Sequence, residues 1–317
     1  MKTNNKYYLG IDTSNYTTSV AIIDQNFNLI QYRQLLPVKK GEKGIRQSDA
    51  VFHHTKQIPV LLESLFDEVG NVDISSIGVS VKPTSVEGSY MPCFLVGETV
   101  ARSIGATANI PVYNTTHQVG HVLAGIVSSK QYDMLNSPFI AFHVSGGTTD
   151  CLLCTPNSEH VLDIKLVASS LDLKGGQLVD RVGVSLGLDF PCGKQLESLA
   201  MLSDKSFKVK ATLKNGNCCL SGIENLCNKM LLSGENHSDI AMFCLEHIYK
   251  AIHGMTKHAI RLYGSMPILY VGGVMSNSII KSKLSKDFRC SFATTEYSCD
   301  NALGVAYYGK LLYDDIH

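Results

Sequence analysis

The sequence has no excess of charge of either sign: Lys plus Arg and Asp plus Glu number 28 each, a formal net charge of zero. That removes the global electrostatic footprint of a nucleic-acid-binding protein, so any such binding needs a local patch or a partner. No apolar run reaches the length needed to span a bilayer, and no membrane association is expected. The polar start Met1-Lys-Thr-Asn-Asn-Lys6 runs directly into a strand-like segment, so a cytoplasmic protein without a signal peptide is expected. A Ser/His/Asp or Cys/His elbow is missing, which leaves no obvious covalent nucleophile. With 44% hydrophobic and 18% charged residues nothing points to disorder. The 317 residues suffice for one large domain or two of about 150.

Ten cysteines without a secretion signal read as reduced thiols. Cys151-Leu-Leu-Cys154 has CxxC spacing but lies in a strand-like run, where positions i and i+3 face opposite ways, so core filling is the expected role.

What is present begins with Asn114-Thr-Thr-His-Gln-Val-Gly-His-Val-Leu-Ala-Gly125. His117 and His121, four residues apart, share one face of a helix and could hold one metal ion. Two such ligands need at least a third. A pair of surface histidines is the plainer reading, and a peptidase is disfavoured because HxxxH here lacks the Glu of HExxH.

Alternation and spacing predict strands at Tyr7–Asp12, Ser19–Ile23 and Leu29–Leu35, then a helix at Ser48–Val69. A strand at Ile77–Val81, a helix at Phe94–Ala108, a strand at Ile110–Tyr113 and the His-bearing helix follow. The pattern restarts at Phe139: strands at Phe139–Val144, Asp150–Cys154 and Val161–Val167, then helices at 176–186, 194–202, 220–232 and 239–263. A strand at Ile268–Val271 and helices at Met275–Leu284 and Asn301–Tyr313 complete it. The expected division is a first lobe at 1–134, holding the His-bearing helix, and a second at 135–317 with a helical insertion.

Each half opens with a strand–turn–strand hairpin whose backbone N–H groups and hydroxyls could cradle phosphate. Thr13, Ser14, Thr17 and Thr18 do this in the first half, and Ser145, Gly146, Gly147, Thr148 and Thr149 in the second. An ordinary hairpin turn explains either loop alone; two equivalent loops favour the nucleotide reading. Gly272-Gly273, ending a strand before a helix, offers a third resting place for a nucleotide.

Taken together these residues resemble the TsaD/Kae/Gcp family, the tRNA N6-adenosine threonylcarbamoyltransferases once labelled O-sialoglycoprotein endopeptidases. Leu9-Gly-Ile-Asp-Thr-Ser14 is similar to LGIETS, Thr116-His-Gln-Val-Gly-His-Val-Leu-Ala124 to HHxxGHLLA, and Val144-Ser-Gly-Gly-Thr-Thr149 to VSGGHT. Gly175-Gly-Gln-Leu-Val-Asp-Arg181 is similar to AGEAFDK and Leu188-Asp-Phe-Pro-Cys-Gly193 to LGYPGG. Val271-Gly-Gly-Val-Met-Ser-Asn277 resembles GGVxxN and Cys299-Asp-Asn-Ala302 resembles CTDNAAM. The resemblance runs from about Tyr8 to Gly309. It implies a two-lobed α/β fold of the actin-like ATPase (ASKHA) kind, with duplicated ribonuclease-H-like domains around a central nucleotide and metal cleft.

It further implies His117, His121 and Asp300 as ligands of one divalent metal, iron or zinc; Asp300 would otherwise read as a helix N-cap. Asp180, Gly193 and Asn277 match nucleotide-contacting positions, with Ser145–Gly147, Thr148 and Gly272-Gly273 lining an adenine nucleotide or adenylate, and Thr13 and Ser14 as a first phosphate loop. The implied reaction moves a threonylcarbamoyl group from threonylcarbamoyl-adenylate to N6 of adenosine in tRNA. Helper proteins are implied as partners, among them a paralogous actin-like subunit and a small ATPase.

The chain departs from the family pattern at Thr148 for His, Gln177 for Glu, Asp12 for Glu, and Lys82-Pro-Thr-Ser-Val-Glu-Gly88 in place of a PGL-type turn. Such departures fit a divergent paralogue. They keep open a carbamoyl transferase or nucleotide hydrolase acting on a small molecule, and a non-catalytic nucleotide-binding subunit. Asp150, one residue past Thr149, is a weaker candidate for a kinase-like base.

Overall fold

The computed structural model describes residues 5–14, 16–37, 45–297 and 302–316. Their contacts divide into two compact units, one from Met1–Ser128, Asn157–Asp163 and Asp300–His317, the other from Ser129–Pro156 and Ile164–Cys299.

In the first unit, β1 (Tyr7–Asp12), β2 (Thr17–Asp24) and β3 (Leu29–Leu35) form an antiparallel meander. After α1 (Gln47–Val69), β4 (Ile74–Lys82) joins parallel to β1. After α2 (Phe94–Ala108), β5 (Val112–Thr116) joins parallel to β4, and α3 (His117–Ser129) follows with no break. The sheet order is β3-β2-β1-β4-β5. On α1 the buried residues Ala50, His54, Gln57, Ile58, Leu61 and Leu65 recur at helical spacing. Ile58, Leu61 and Leu65 pack with Leu9, Ile11, Ile77 and Val79, which share one face of the sheet, while Ala50 packs with Leu36, Cys93 and Phe94.

In the second sheet, β6 (Phe139–Val144) pairs antiparallel with β7 (Thr149–Asn157), beside which lies β8 (Val161–Ser169). Then come α4 (Gly175–Ser185), α5 (Gly193–Ala200), a short antiparallel pair β9 (Thr212–Lys214) and β10 (Asn217–Cys219), α6 (Ser221–Leu232) and α7 (His237–Tyr263). β11 (Ile268–Val271) runs parallel to β6; α8 (Ser278–Asp287) and β12 (Cys290–Phe292), parallel to β11, complete the unit. Its order, β12-β11-β6-β7-β8, repeats the first sheet: a meander whose first strand pairs with a parallel strand, and that with another. The duplication read from the sequence is therefore present in the strand order.

The last helix, α9 (Leu303–Ile316), departs from the expected 134/135 division, because it packs with the first sheet. The Tyr8 hydroxyl donates to Asp314 Oδ1 at 2.9 Å, and the Tyr8 and Tyr313 rings meet edge-on at 6.0 Å. The physical cause is the central pair β1 and β4. Parallel strands need both faces covered, and α1 and α2 cover only the Leu9 face. Smaller differences are local. The helix expected from Met275 begins at Ser278, because Asn277 is its N-cap: Oδ1 accepts from Ile280 N–H at 3.1 Å. The strand expected from Ile110 begins at Val112, because Ile110 N–H still bonds Gly105 O at the end of α2.

Cys151 and Cys154 are free, buried thiols on β7, paired with Phe142 and Phe139, and burial pushes both thiol pKa values upward. That chemistry suits core filling and opposes redox use.

Candidate functional site

In the first unit the site grows from the junction of β5 and α3. Thr116 Oγ1 accepts from Val119 N–H at 3.1 Å and caps the helix, which fixes His117 in its first turn. One turn on, His121 is buried, and the two rings lie 4.4 Å apart with Nε2 facing Nε2 at 3.0 Å. His117 Nδ1 meets Asp12 Oδ2 at 2.7 Å, and the other Asp12 oxygen accepts from Ser14 N–H at 2.8 Å. Asp12, at the end of β1, is only 1% exposed. A carboxylate only accepts, so His117 donates from Nδ1, and the neutral ring then presents its lone pair on Nε2. Two states satisfy the facing nitrogens: His121 donates an N–H to His117, or both lone pairs point at one cation.

The donor chemistry fits a metal. The two Nε2 atoms face one another on one side of α3, and an imidazole whose other nitrogen is held by a carboxylate is the usual metal-ligating arrangement. Ser14 Oγ, buried nearby in the chain, has no hydrogen-bond partner among the described residues. Among the described residues no group of three His, Cys, Asp and Glu could hold a metal ion, since Asp12 is spent on the far edge of His117. Asp300 lies outside the described residues. The Lys82–Gly88 turn sits against the same helix, with Pro83 O accepting from Gln118 N–H at 3.0 Å.

The hydroxyls of Thr13 and Thr18, expected to cradle phosphate, are bonded within the unit instead. Thr13 Oγ1 donates to Cys93 O and accepts from Gly97 N–H, both at 3.0 Å. Thr18 is wholly buried and bonds Gln57 Oε1 at 2.6 Å and His54 Nδ1 at 2.7 Å. Their hydroxyls are consumed inside the unit. Burial pushes His54 down to about 4, against the pull of Asp12, so it is neutral there.

In the second unit the loop between β6 and β7 is open. Ser145 N–H closes it onto Thr148 O at 2.8 Å, while Gly146 and Gly147 are exposed, and a Cβ on either would meet nothing within 4 Å. The N-terminus of α4 abuts it: Gly176 N–H bonds Ser145 O at 3.0 Å, and a Cβ on Gly176 would fall 2.6 Å from Gly146 N. Thr149 Oγ1 accepts from Gly175 N–H at 2.8 Å. Gly272, at φ 101°, lies so close behind the loop that a Cβ would sit 2.3 Å from Val144 O. Only glycine fits there.

Asp180 Oδ1 accepts from Cys192 N–H at 2.9 Å, pinning the turn that leads to the exposed Gly193, and burial raises its carboxyl pKa. Its Oδ2 remains for a ligand. Asn277 uses its carbonyl as the α8 cap, which leaves its amide N–H₂ for any ligand contact. Gln177 Oε1 accepts from Lys174 N–H at 3.1 Å, so the neutral side chain at this departure still caps α4. Asp150 is pushed up to about 6 by burial, with the Lys174 ammonium pulling the other way.

The structure thus brings His117 and His121 together and joins Ser145, Gly146, Gly147, Gly272 and Asn277 around one end of the second sheet. Sequence reasoning missed Asp12 as the partner of His117, and His54 beneath Thr18. The signal for Asp12 was a carboxylate closing the strand β1; the pairing spans 105 positions and has no local signature.

The family model for TsaD, tRNA N6-adenosine threonylcarbamoyltransferase, matches residues 32–307. The chain belongs to the TsaD family. A relative in Buchnera aphidicola subsp. Schizaphis graminum named tRNA N6-adenosine threonylcarbamoyltransferase is 28% identical over 97% of this chain and 93% of that protein. The probable bifunctional tRNA threonylcarbamoyladenosine biosynthesis protein of Thermoplasma acidophilum is 26% identical; 96% of this chain covers 56% of that one. TsaD membership places the chain among transferases that act on tRNA. Solved structures agree on the fold. HypF of T. kodakarensis matches with a TM-score of 0.62 at 14% identity, over 98% of this chain and 48% of that one. A ROK family glucokinase from Streptomyces griseus matches with 0.54 at 10%, over 96% and 98%. The α/β architecture with two mixed sheets is that of the actin-like ATPases and kinases.

Proposed function

We propose that this chain transfers a threonylcarbamoyl group from threonylcarbamoyl-adenylate to N6 of adenosine in tRNA. The observation that carries the reading is the Nε2–Nε2 pair of His117 and His121, braced by Asp12, in a chain matched by the TsaD family over residues 32–307. In the reaction the exocyclic amine attacks the carbamoyl carbon, a C–N bond forms, the C–O bond to phosphate breaks, and AMP leaves with the electron pair while N6 loses a proton. Backbone N–H groups at Gly146 and Gly147 and the N-terminus of α4 would hold the phosphate, and Asp180 Oδ2 would accept from a ribose hydroxyl. Gly193 and Gly273 lack side chains that would block the sugar and base.

His117 and His121, with Asp300 as the implied third ligand, would hold a divalent iron or zinc ion. When bound, such an ion would polarise carbonyl or phosphate oxygens and stabilise developing negative charge. Asp12 holds the His117 tautomer, so its contribution is to ligand orientation. A cytoplasmic setting suits a tRNA substrate, and among the described residues no helix is long and apolar enough to cross a membrane. The bifunctional relatives extend well beyond the matched part, consistent with partner proteins acting in trans for this chain.

The test is to incubate the protein and its helper proteins with threonine, bicarbonate, ATP, the adenylate-forming synthase and unmodified tRNA, and to measure the modified adenosine by mass spectrometry. Product is expected. Its absence with functional helpers and bound metal would remove the reading and favour a small-molecule transferase, a nucleotide hydrolase or a non-catalytic subunit.

A further inference from the structure

In three segments of the second unit basic residues outnumber acidic ones. Residues 203–214 carry four Lys and one Asp, residues 246–261 two Lys, one Arg and one Glu, and residues 281–289 three Lys, one Arg and one Asp; of these Lys205 is paired with Glu235 at 3.0 Å and Asp239 at 2.8 Å. Parts of these three segments line one cavity of about 370 Å³ in the second unit, between the stretch 206–209, α7 and α8. Its two acids are spent internally. Glu246 is paired with Lys283, and Asp287 accepts from the Tyr249 hydroxyl at 2.5 Å with His253 Nε2 at 3.5 Å. Lys208, Lys250 and Lys286 line the same cavity and have no ion pair among the described residues. The Lys250 ammonium lies 4.7 Å from the centre of the Tyr249 ring, which holds it at the wall.

We infer that this lysine-lined hollow is a docking surface for the phosphate backbone of the tRNA substrate, an inference that rests on the transfer reading above. A net charge of zero leaves a polyanion no other long-range attraction than a local concentration. The surplus extends along three neighbouring segments, whereas a small anion would need one closed pocket. Lysines supply flexible point charges, the means of sequence-independent phosphate contact, where bidentate arginine forks would serve base reading. Phe207, half-buried on the cavity wall, adds an aromatic face of the kind that stacks unpaired bases.

The test is the affinity of the full chain for unmodified tRNA as a function of salt, for wild type and for Lys208→Ala/Lys250→Ala/Lys286→Ala. The triple variant is expected to bind about a hundredfold more weakly near physiological salt, with the log–log salt slope reduced by about 3. Lys→Gln at the same positions, which keeps the stems, should behave alike, with an unchanged melting temperature for both. Removing the same charge elsewhere, in Lys56→Ala/Arg102→Ala/Lys165→Ala, should leave affinity within about twofold, since these exposed positions lie outside the hollow. Unchanged binding by the Lys208/Lys250/Lys286 variants, or equal weakening by the control, would overturn the surface. Product formed by the wild type in that event would leave the transfer reading standing. Wild-type protein that neither binds nor modifies tRNA overturns both, and binding lost in the triple variant without any product would keep the surface and sink the transfer.

Discussion

The loop after β1 turns its side chains inward, with Thr13 and Thr18 bonded to Cys93, Gly97, His54 and Gln57. The loop after β6 presents open backbone at Gly146 and Gly147, backed by Gly272 and the start of α4. The two occupy equivalent places in sheets of the same strand order, but the first spans six residues between the paired Asp12 and Ser19 and the second four between Val144 and Thr149. Small hydroxyl residues do not make a phosphate cradle when their hydrogen bonds are already taken. In the first unit they tie the loop to Cys93 and Gly97 and to His54 and Gln57 of α1; in the second the glycines leave N–H groups to a ligand.

The largest effect expected is from breaking the back of the second loop. Gly272→Ala forces a side chain onto Val144 O at a positive φ and should cost about 3–5 kcal/mol in chemical denaturation. Thr18→Val, in the first unit, strands His54 and Gln57 and should cost about 1–3 kcal/mol. The equivalent change on the second loop, Thr148→Val, should stay within about 0.5 kcal/mol; similar losses in the two variants would erase the contrast.

Asp12→Asn keeps the shape but weakens the hold on His117 Nδ1, and metal titration should show affinity lowered about 10- to 100-fold. A smaller effect concerns Asp150. Its folded-state pKa, about 6, exceeds the ordinary 3.8, so the folded chain binds the proton more tightly and gains stability as pH falls from about 6 towards 4. Asp150→Asn should flatten that window and add about 1–2 kcal/mol at neutral pH. A variant with the wild-type pH profile would show that the carboxyl is well solvated.

Much of this was legible in the chain. Strands β1, β6 and β11 stand out as short apolar runs, and α1 as apolar residues at helical spacing, because burial is written locally in the pattern. Three-residue strands such as β9, β10 and β12 carry too few residues to show alternation. The docking of α9 on β1 and β4 joins positions some 300 apart, such as Tyr8 and Asp314, and nothing in either segment names the other. For the site, the spacing of His117 and His121 foretold their meeting. The inward turn of Thr13 and Thr18 was not foretold, since a hydroxyl suits a phosphate and a buried acceptor equally.

The most direct measurement is the yield of modified adenosine per tRNA, by mass spectrometry, for wild type and His117→Ala side by side with helper proteins present. The expected result is product from wild type and a loss of at least about a hundredfold in the variant, accompanied by loss of bound metal. Product formed equally by both, or by neither, would contradict the assignment of the transfer chemistry to the histidine pair.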